Sequence, residues 1–187
     1  KVPCTIFIVG KTLEKNTSDC QNLAKNELFD FQQHTYSHMR LKTVVMETEG
    51  KVKVIKGSSL SQIEEEVKET SELLKKCLNV ECIGLRGPWG YYRGLSDRPD
   101  ILEVLHNLSI RFISTYARNE KDFQPVDFEL QPFWYSPQGF DDMLEIPVQG
   151  WQDTCLRGKY GWANLHVSGK NIQKRFNNIF AHNLVWG

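Results

Sequence analysis

No stretch of the 187 residues approaches the roughly 18 consecutive apolar residues of a membrane-spanning helix, so no membrane span is expected. An excess of one charge is also missing. Twenty-three Lys and Arg face 23 Asp and Glu, without the basic surplus by which nucleic-acid binders neutralise phosphates, which argues against a nucleic-acid partner. Cysteine is sparse and odd in number: Cys4, Cys20, Cys77, Cys82 and Cys155, with no Cys-x-x-Cys pair. That argues against a thiolate zinc knuckle, leaves at least one thiol unpaired within the chain, and reads most of them as small core residues. Repeats, heptads and low-complexity blocks are absent as well. Apolar residues make up 40% of the chain, enough at this length for one domain with a hydrophobic core, taken here as residues 1–187.

Neither end reads as a natural terminus. Lys1-Val2-Pro3-Cys4 runs straight into an apolar stretch, and Leu184-Val185-Trp186-Gly187 ends in another. Natural ends are more often polar and frayed, so the chain is expected to be an internal piece of a longer protein, and it shows no signal peptide.

Residues 5–9 alternate β-branched and aromatic side chains before Gly10, as a short buried strand does. A helix is expected over 18–26 with Ser18 or Asp19 near its cap, and a strand over 28–31. Residues 42–56 resemble a hairpin around Glu49-Gly50. The clearest helix is 61–78, with a capping box read from Ser61 and Glu64 and an apolar face of Leu60, Ile63, Val67, Leu74 and Leu78. Glu64–Lys68 and Glu72–Lys76 stand at i,i+4 on its solvated face. A strand over 83–86, a loop from Gly87, a helix over 99–108 and a strand over 111–114 follow. A long loop over 117–139, a strand over 144–147 and a helix over 169–183 complete the pattern. Strands alternating with helices indicate an α/β protein with a mostly parallel sheet, whose chemistry lies beyond the carboxyl ends of its strands.

Two segments carry the residues of interest. His34-Thr35-Tyr36-Ser37-His38 follows directly on a strand. Two imidazoles four residues apart share one face of a helical turn and can offer two nitrogens to one divalent ion. A capped, hydrogen-bonded loop is the alternative. Catalytic zinc usually takes three protein ligands plus water, so a carboxylate must come from elsewhere. Asp30 is near in sequence but sits back on the strand. The second segment is Arg86-Gly87-Pro88-Trp89-Gly90, at a strand end on the same rim. There a guanidinium can hold a carboxylate ionised, and an indole offers a flat face of the kind that suits sugar rings. A surface Arg in a strand-ending turn is the alternative.

Taken together, these segments resemble the polysaccharide deacetylase family (carbohydrate esterase family 4). His34-Thr35-Tyr36-Ser37-His38 matches its His-Ser/Thr-x-x-His motif and Arg86-Gly87-Pro88-Trp89 its Arg-x-Pro-aromatic motif, in the family's order. The lead-in over 2–10 resembles the family's second strand, and 144–148 the strand before its fourth motif. The resemblance implies a distorted (β/α) barrel, here without its first strand and its last. It implies a metal-dependent hydrolase removing N-acetyl or O-acetyl groups from an amino-sugar polymer such as peptidoglycan or chitin, in a secreted or cell-envelope location. His34 and His38 would bind a divalent metal, commonly zinc, that polarises the acetyl carbonyl and activates water. The Trp89 amide would hold the oxyanion, and Arg86 the catalytic-base Asp. Trp151, with Asp153, would line the acetyl pocket. His182 either belongs to a degenerate final motif, Ile179-Phe180-Ala181-His182, or simply ends a helix.

The family's Asp-Asp pair does not precede His34; the one such pair, Asp141-Asp142, lies elsewhere. Little activity is therefore expected of these 187 residues by themselves. A non-catalytic carbohydrate-binding relative with a degenerate metal site is the competing reading, and a metal-free amidase acting on small cyclic amides a third.

Overall fold

A computed structural model describes residues 2–48, 50–120 and 126–150, within the compact unit Lys1–Gly150. Trp151, Asp153, Cys155, His182 and the helix expected over 169–183 lie outside the described residues. The elements run in the order β1 (Cys4–Ile8), α1 (Gly10–Lys15), α2 (Thr17–Ala24), β2 (Phe29–Gln33), β3 (Val44–Thr48), β4 (Lys51–Ile55) and α3 (Leu60–Leu78). Then follow β5 (Gly84–Tyr92), α4 (Pro99–Asn107), β6 (Phe112–Arg118), β7 (Phe133–Tyr135), a 3-10 turn (Ser136–Gln138) and β8 (Phe140–Glu145).

One sheet takes the strand order β1-β2-β5-β6-β8-β7, and β3 and β4 form a separate antiparallel hairpin. Every neighbouring pair from β1 to β8 is parallel, and β7 alone runs antiparallel. This is the expected α/β arrangement with a mostly parallel sheet. Among the described residues the sheet is open, with β1 and β7 at its edges rather than closed into a barrel. Parallel pairing places the carboxyl ends of β1, β2, β5 and β6 along one rim, the place where α/β sheets carry their sites.

The helix α3 shows how the core is laid down. Its buried residues Ile63, Val67, Thr70 and Leu74 repeat at helical spacing, and Ile63, Val67 and Leu74 pack into the common core with Phe31, Leu85 and Leu102. Its capping box lies two residues earlier than expected. Ser59 Oγ accepts from the Gln62 amide at 3.3 Å, and Gln62 Oε1 accepts from the Ser59 amide at 3.0 Å. Glutamine closes the box as well as glutamate does, which moves the start to Leu60. At the other end Asn79 turns left-handed at φ 56, and Lys75 and Lys76 face the negative end of the helix dipole.

Two further expectations need correction. The helix expected over 18–26 is α2, but it follows Asn16 with no side-chain cap rather than starting from Ser18 or Asp19, and the short α1 from Gly10 precedes it unforeseen. The loop placed over 117–139 contains the rest of β6 and the strand β7. Asp141 and Asp142 lie on β8, where Asp142 meets His106 at 2.9 Å and Arg111 at 3.3 Å. The four described cysteines are free thiols, with Cys20 and Cys82 buried.

Substituting Ser59→Ala should cost about 1 kcal/mol in urea unfolding, the usual worth of an N-cap, while Ser61→Ala should cost a few tenths at most. Equal losses would return the cap to Ser61.

Candidate functional site

The histidine segment leaves β2 and turns without forming a helix. Thr35 and His38 adopt φ 58 and 64, the left-handed region that non-glycine residues rarely occupy. The two imidazoles were expected to meet through helical spacing; two left-handed residues fold the loop back instead. The rings still meet, edge to face, with centroids 4.7 Å apart.

Several contacts impose that shape. The first amides of α1, those of Gly10 and Lys11, donate to the carbonyls of Thr35 and Tyr36 at 3.0 Å each. Helix N-termini need acceptors for such amides, and here the loop supplies them. A Cβ on Gly10 would stand 2.6 Å from the Tyr36 ring, so the close approach requires glycine. Thr35 is fully buried, and its Oγ1 accepts from the Met39 amide at 3.2 Å. The Tyr36 hydroxyl donates to Glu14 at 2.7 Å.

His34 is half-buried and fixed from two sides. Its backbone amide donates to the Ile8 carbonyl at 2.9 Å. Its Nδ1 lies 2.6 Å from the Arg86 carbonyl oxygen. A carbonyl only accepts, so in the neutral ring the proton sits on Nδ1 and the Nε2 lone pair is left for another partner. Burial, above all, pulls the imidazole pKa down to about 4; the Arg86 carbonyl opposes this, and the charges of His38 and Arg86 add to it. The ring is therefore neutral, as a metal ligand must be, down to mildly acidic pH.

Arg86 does not end its strand. β5 continues to Tyr92, and its pairing with β6 slips between Arg86↔Ser114 and Tyr91↔Tyr116. The four residues from Gly87 to Gly90 thus stand opposite Thr115 alone. This wide bulge, with Trp89 at φ 77 and Gly90 at φ 65, lifts Trp89 out of the sheet. One indole face is covered by the Arg40 guanidinium, 4.6 Å from the ring centre, so the flat face expected for sugars is taken on that side. The Tyr91 hydroxyl closes the bulge from within, donating to the Pro88 carbonyl at 2.9 Å and accepting from the Leu41 amide at 2.8 Å. Burial pushes this phenol up to about 12.

The Arg86 guanidinium donates to Ser114 Oγ at 3.1 Å, and Ser114 passes the bond on to the Ile146 carbonyl at 2.7 Å. Burial lowers its pKa, against the attraction of Glu145. Asp30 does not join this group. Its carboxylate accepts from Thr5 and Gln32 at 3.3 and 3.0 Å. The two motifs, far apart in the chain, are thus brought into contact, while Trp151 lies outside the described residues. Among those residues no group of three His, Cys, Asp or Glu is placed to hold a metal ion.

In the sequence Glu145 is marked only by its place in the strand expected over 144–147. It is fully buried, and each carboxylate oxygen accepts two hydrogen bonds. One takes the amides of Thr115 and Tyr116 at 2.7 and 2.8 Å, the other the hydroxyls of Thr115 and Tyr135 at 2.7 Å each. Burial pushes its pKa up, and these donors pull the other way. A lone Glu between apolar residues on an inner strand was the available sign, since such a side chain must find partners when buried.

The fold and its rim define a class: a parallel α/β protein with a histidine pair and a bulged, Arg-bearing strand at the carboxyl ends of its strands. The family model for polysaccharide deacetylases matches residues 1–112, and the chain belongs to that family. Two known structures share the fold. A Mycobacterium smegmatis protein assigned to the polysaccharide deacetylases is 18% identical, with a TM-score of 0.55 over 79% of this chain and 41% of that one. The Streptococcus pyogenes deacetylase PplD, in complex with acetate, is 16% identical, with a TM-score of 0.51 over 79% and 53%. The chain thus spans about half or less of the length of these relatives. No curated protein matches it in sequence.

Two outcomes are expected. In an NMR titration His34 should keep its Nδ1 proton as a neutral ring at pH 5 and titrate near 4. Because the unfolded imidazole titrates near 6.5, the corresponding stability is complete above about pH 6.5 and lost as pH falls from there towards 4. A midpoint near 6.5 would refute the buried, carbonyl-bound ring. A Cβ on Gly87 would lie 2.6 Å from Thr115 Cγ2, with the next atom at 3.4 Å. Gly87→Ala should cost about 1–3 kcal/mol, and adding Thr115→Ser, which removes that methyl, should recover most of it in denaturant melts.

Proposed function

We propose that this chain contributes the metal-binding and oxyanion-holding half of a deacetylase site. The enzyme would remove N-acetyl or O-acetyl groups from an amino-sugar polymer such as peptidoglycan or chitin, in a secreted or envelope setting. The observation that carries the reading is the hydrogen bond from His34 Nδ1 to the Arg86 carbonyl, which joins the two motifs and leaves Nε2 as a ligand beside His38. Two neighbouring imidazoles, one held in the ligating tautomer, fit a divalent cation such as zinc as two of its ligands. At such a pair a bound cation polarises a carbonyl and lowers the pKa of water.

The roles of the chain's own residues follow. His34 and His38 hold the cation. Arg86, fixed by Ser114, orients the carboxylate that serves as base. The Trp89 amide, presented by the bulge, donates to the oxyanion that develops when the acetyl carbonyl is attacked. The second reading is a carbohydrate-binding relative with a degenerate site: among the described residues no Asp, Glu or Cys joins the two imidazoles as a third ligand.

The test uses the whole natural protein. Zinc content by mass spectrometry and acetate release from N-acetylated oligosaccharides are measured for wild type, His34→Ala and Arg86→Ala. His34→Ala should lose the zinc. Arg86→Ala should keep its fold and its KM and lose about a hundredfold in kcat, as a misoriented base does. Undiminished zinc in His34→Ala would remove the metal reading. Zinc and sugar binding without acetate release in wild type would establish the binding relative.

A further inference from the structure

We propose that Glu66 of α3 is a positioning residue for His38, acting through Ser37. The inference rests on the metal-pair reading above and deepens it. Ser37 directly precedes His38, and the Glu66 carboxylate grips it at two points. The Ser37 amide donates to Oε2 at 2.7 Å, and the Ser37 hydroxyl donates to Oε1 at 2.6 Å. Both carboxylate oxygens are thus used on one residue 29 positions away, across two elements. Charge-assisted bonds of this length are the strong kind.

The two histidines differ in what holds them. His34 has its own anchors in the Arg86 and Ile8 carbonyls. His38 stands exposed at the far end of the loop, with φ 64. That left-handed conformation persists only where the surroundings impose it. The flanking contacts do so: Glu66 fixes Ser37 on one side, and Thr35 Oγ1 fixes the Met39 amide at 3.2 Å on the other. Removing either releases the segment that aims the His38 ring at His34.

Electrostatics makes an incidental contact a poor explanation. Glu14, Glu65 and Glu66 stand close enough that, after burial, their charges push the Glu69 carboxyl up. Like charges crowded together oppose each other, and Glu66 is the one of Glu64, Glu65 and Glu66 that is half-buried. Ligand-orienting partners of this kind typically change metal affinity by about 10- to 100-fold when removed.

The experiment compares wild-type whole protein with Glu66→Ala, Glu66→Gln, Ser37→Ala and, as control, Glu65→Ala. Zinc affinity is read by competition with a chromophoric chelator. The His34–His38 ring contact is read by NMR in the metal-free protein. Glu66→Ala should weaken zinc binding at least tenfold and lose the ring contact. Glu66→Gln should restore most of both, since its amide oxygen accepts from the Ser37 amide and its NH2 donates to the Ser37 hydroxyl. Ser37→Ala keeps the backbone bond and should lose a few-fold, which decides the matter if Glu66→Ala does not fold. Glu65→Ala should behave as wild type. Wild-type zinc affinity and an intact ring contact in Glu66→Ala, or a Gln variant no better than Ala, would overturn the proposal. Failure of the wild type to bind zinc would instead overturn the metal reading, and the metal-free ring contact would still decide the role of Glu66.

Discussion

The buried carboxylate of Glu145 is the constraint on which the carboxyl rim depends. A carboxylate removed from water costs several kcal/mol unless each oxygen finds donors. Here the amides of Thr115 and Tyr116 and the hydroxyls of Thr115 and Tyr135 supply them. Those donors come from β6 and β7, so satisfying one side chain of β8 fixes three strands together. The Tyr135 hydroxyl also accepts from the Leu95 amide at 3.0 Å, which extends the hold to the loop after β5. A Cβ on Gly94 would meet Tyr135 and Glu145 at 2.7 and 3.0 Å, so the chain comes this close at a glycine with φ +57.

From Thr115 the constraint passes to β5. Thr115 is the single β6 residue opposite the four-residue bulge, and its methyl lies where a side chain on Gly87 would be. The bulge sets the direction of Trp89 and leaves the Arg86 carbonyl pointing at His34. The Arg86 guanidinium goes to Ser114. One residue thus serves both motifs, its backbone fixing a tautomer and its side chain anchored in the next strand. On the other side the histidine loop is held by the N-terminus of α1 and by carboxylates of two helices, Glu14 and Glu66. The geometry of a two-histidine pair is therefore spread over α1, α3, β2 and β5.

Much of this was legible in the residues. The alternation of strands and helices defined the α/β class. The apolar spacing of Ile63, Val67 and Leu74 marked the inner face of α3. His34, His38 and Arg86 stood out because few residue types carry such chemistry and their order was informative. What escaped was set by partners distant in the chain. Gly10 read as the end of a strand, because the acceptors that let α1 begin there are carbonyls some 25 residues later. Strand β7 read as loop, because its Phe-Trp-Tyr acquires a role only through Tyr135 and Glu145.

The sequence alone determined which chemical groups are available and which faces of the elements are apolar, since periodicity and side-chain chemistry are local properties. It also carried two family motifs in order, and with them the family. Only the tertiary structure decided how the imidazoles meet, where the proton on His34 sits and that Trp89 rides on a bulge. Each of these depends on a hydrogen bond or a steric limit between residues on different strands or helices, and no local pattern records such a contact.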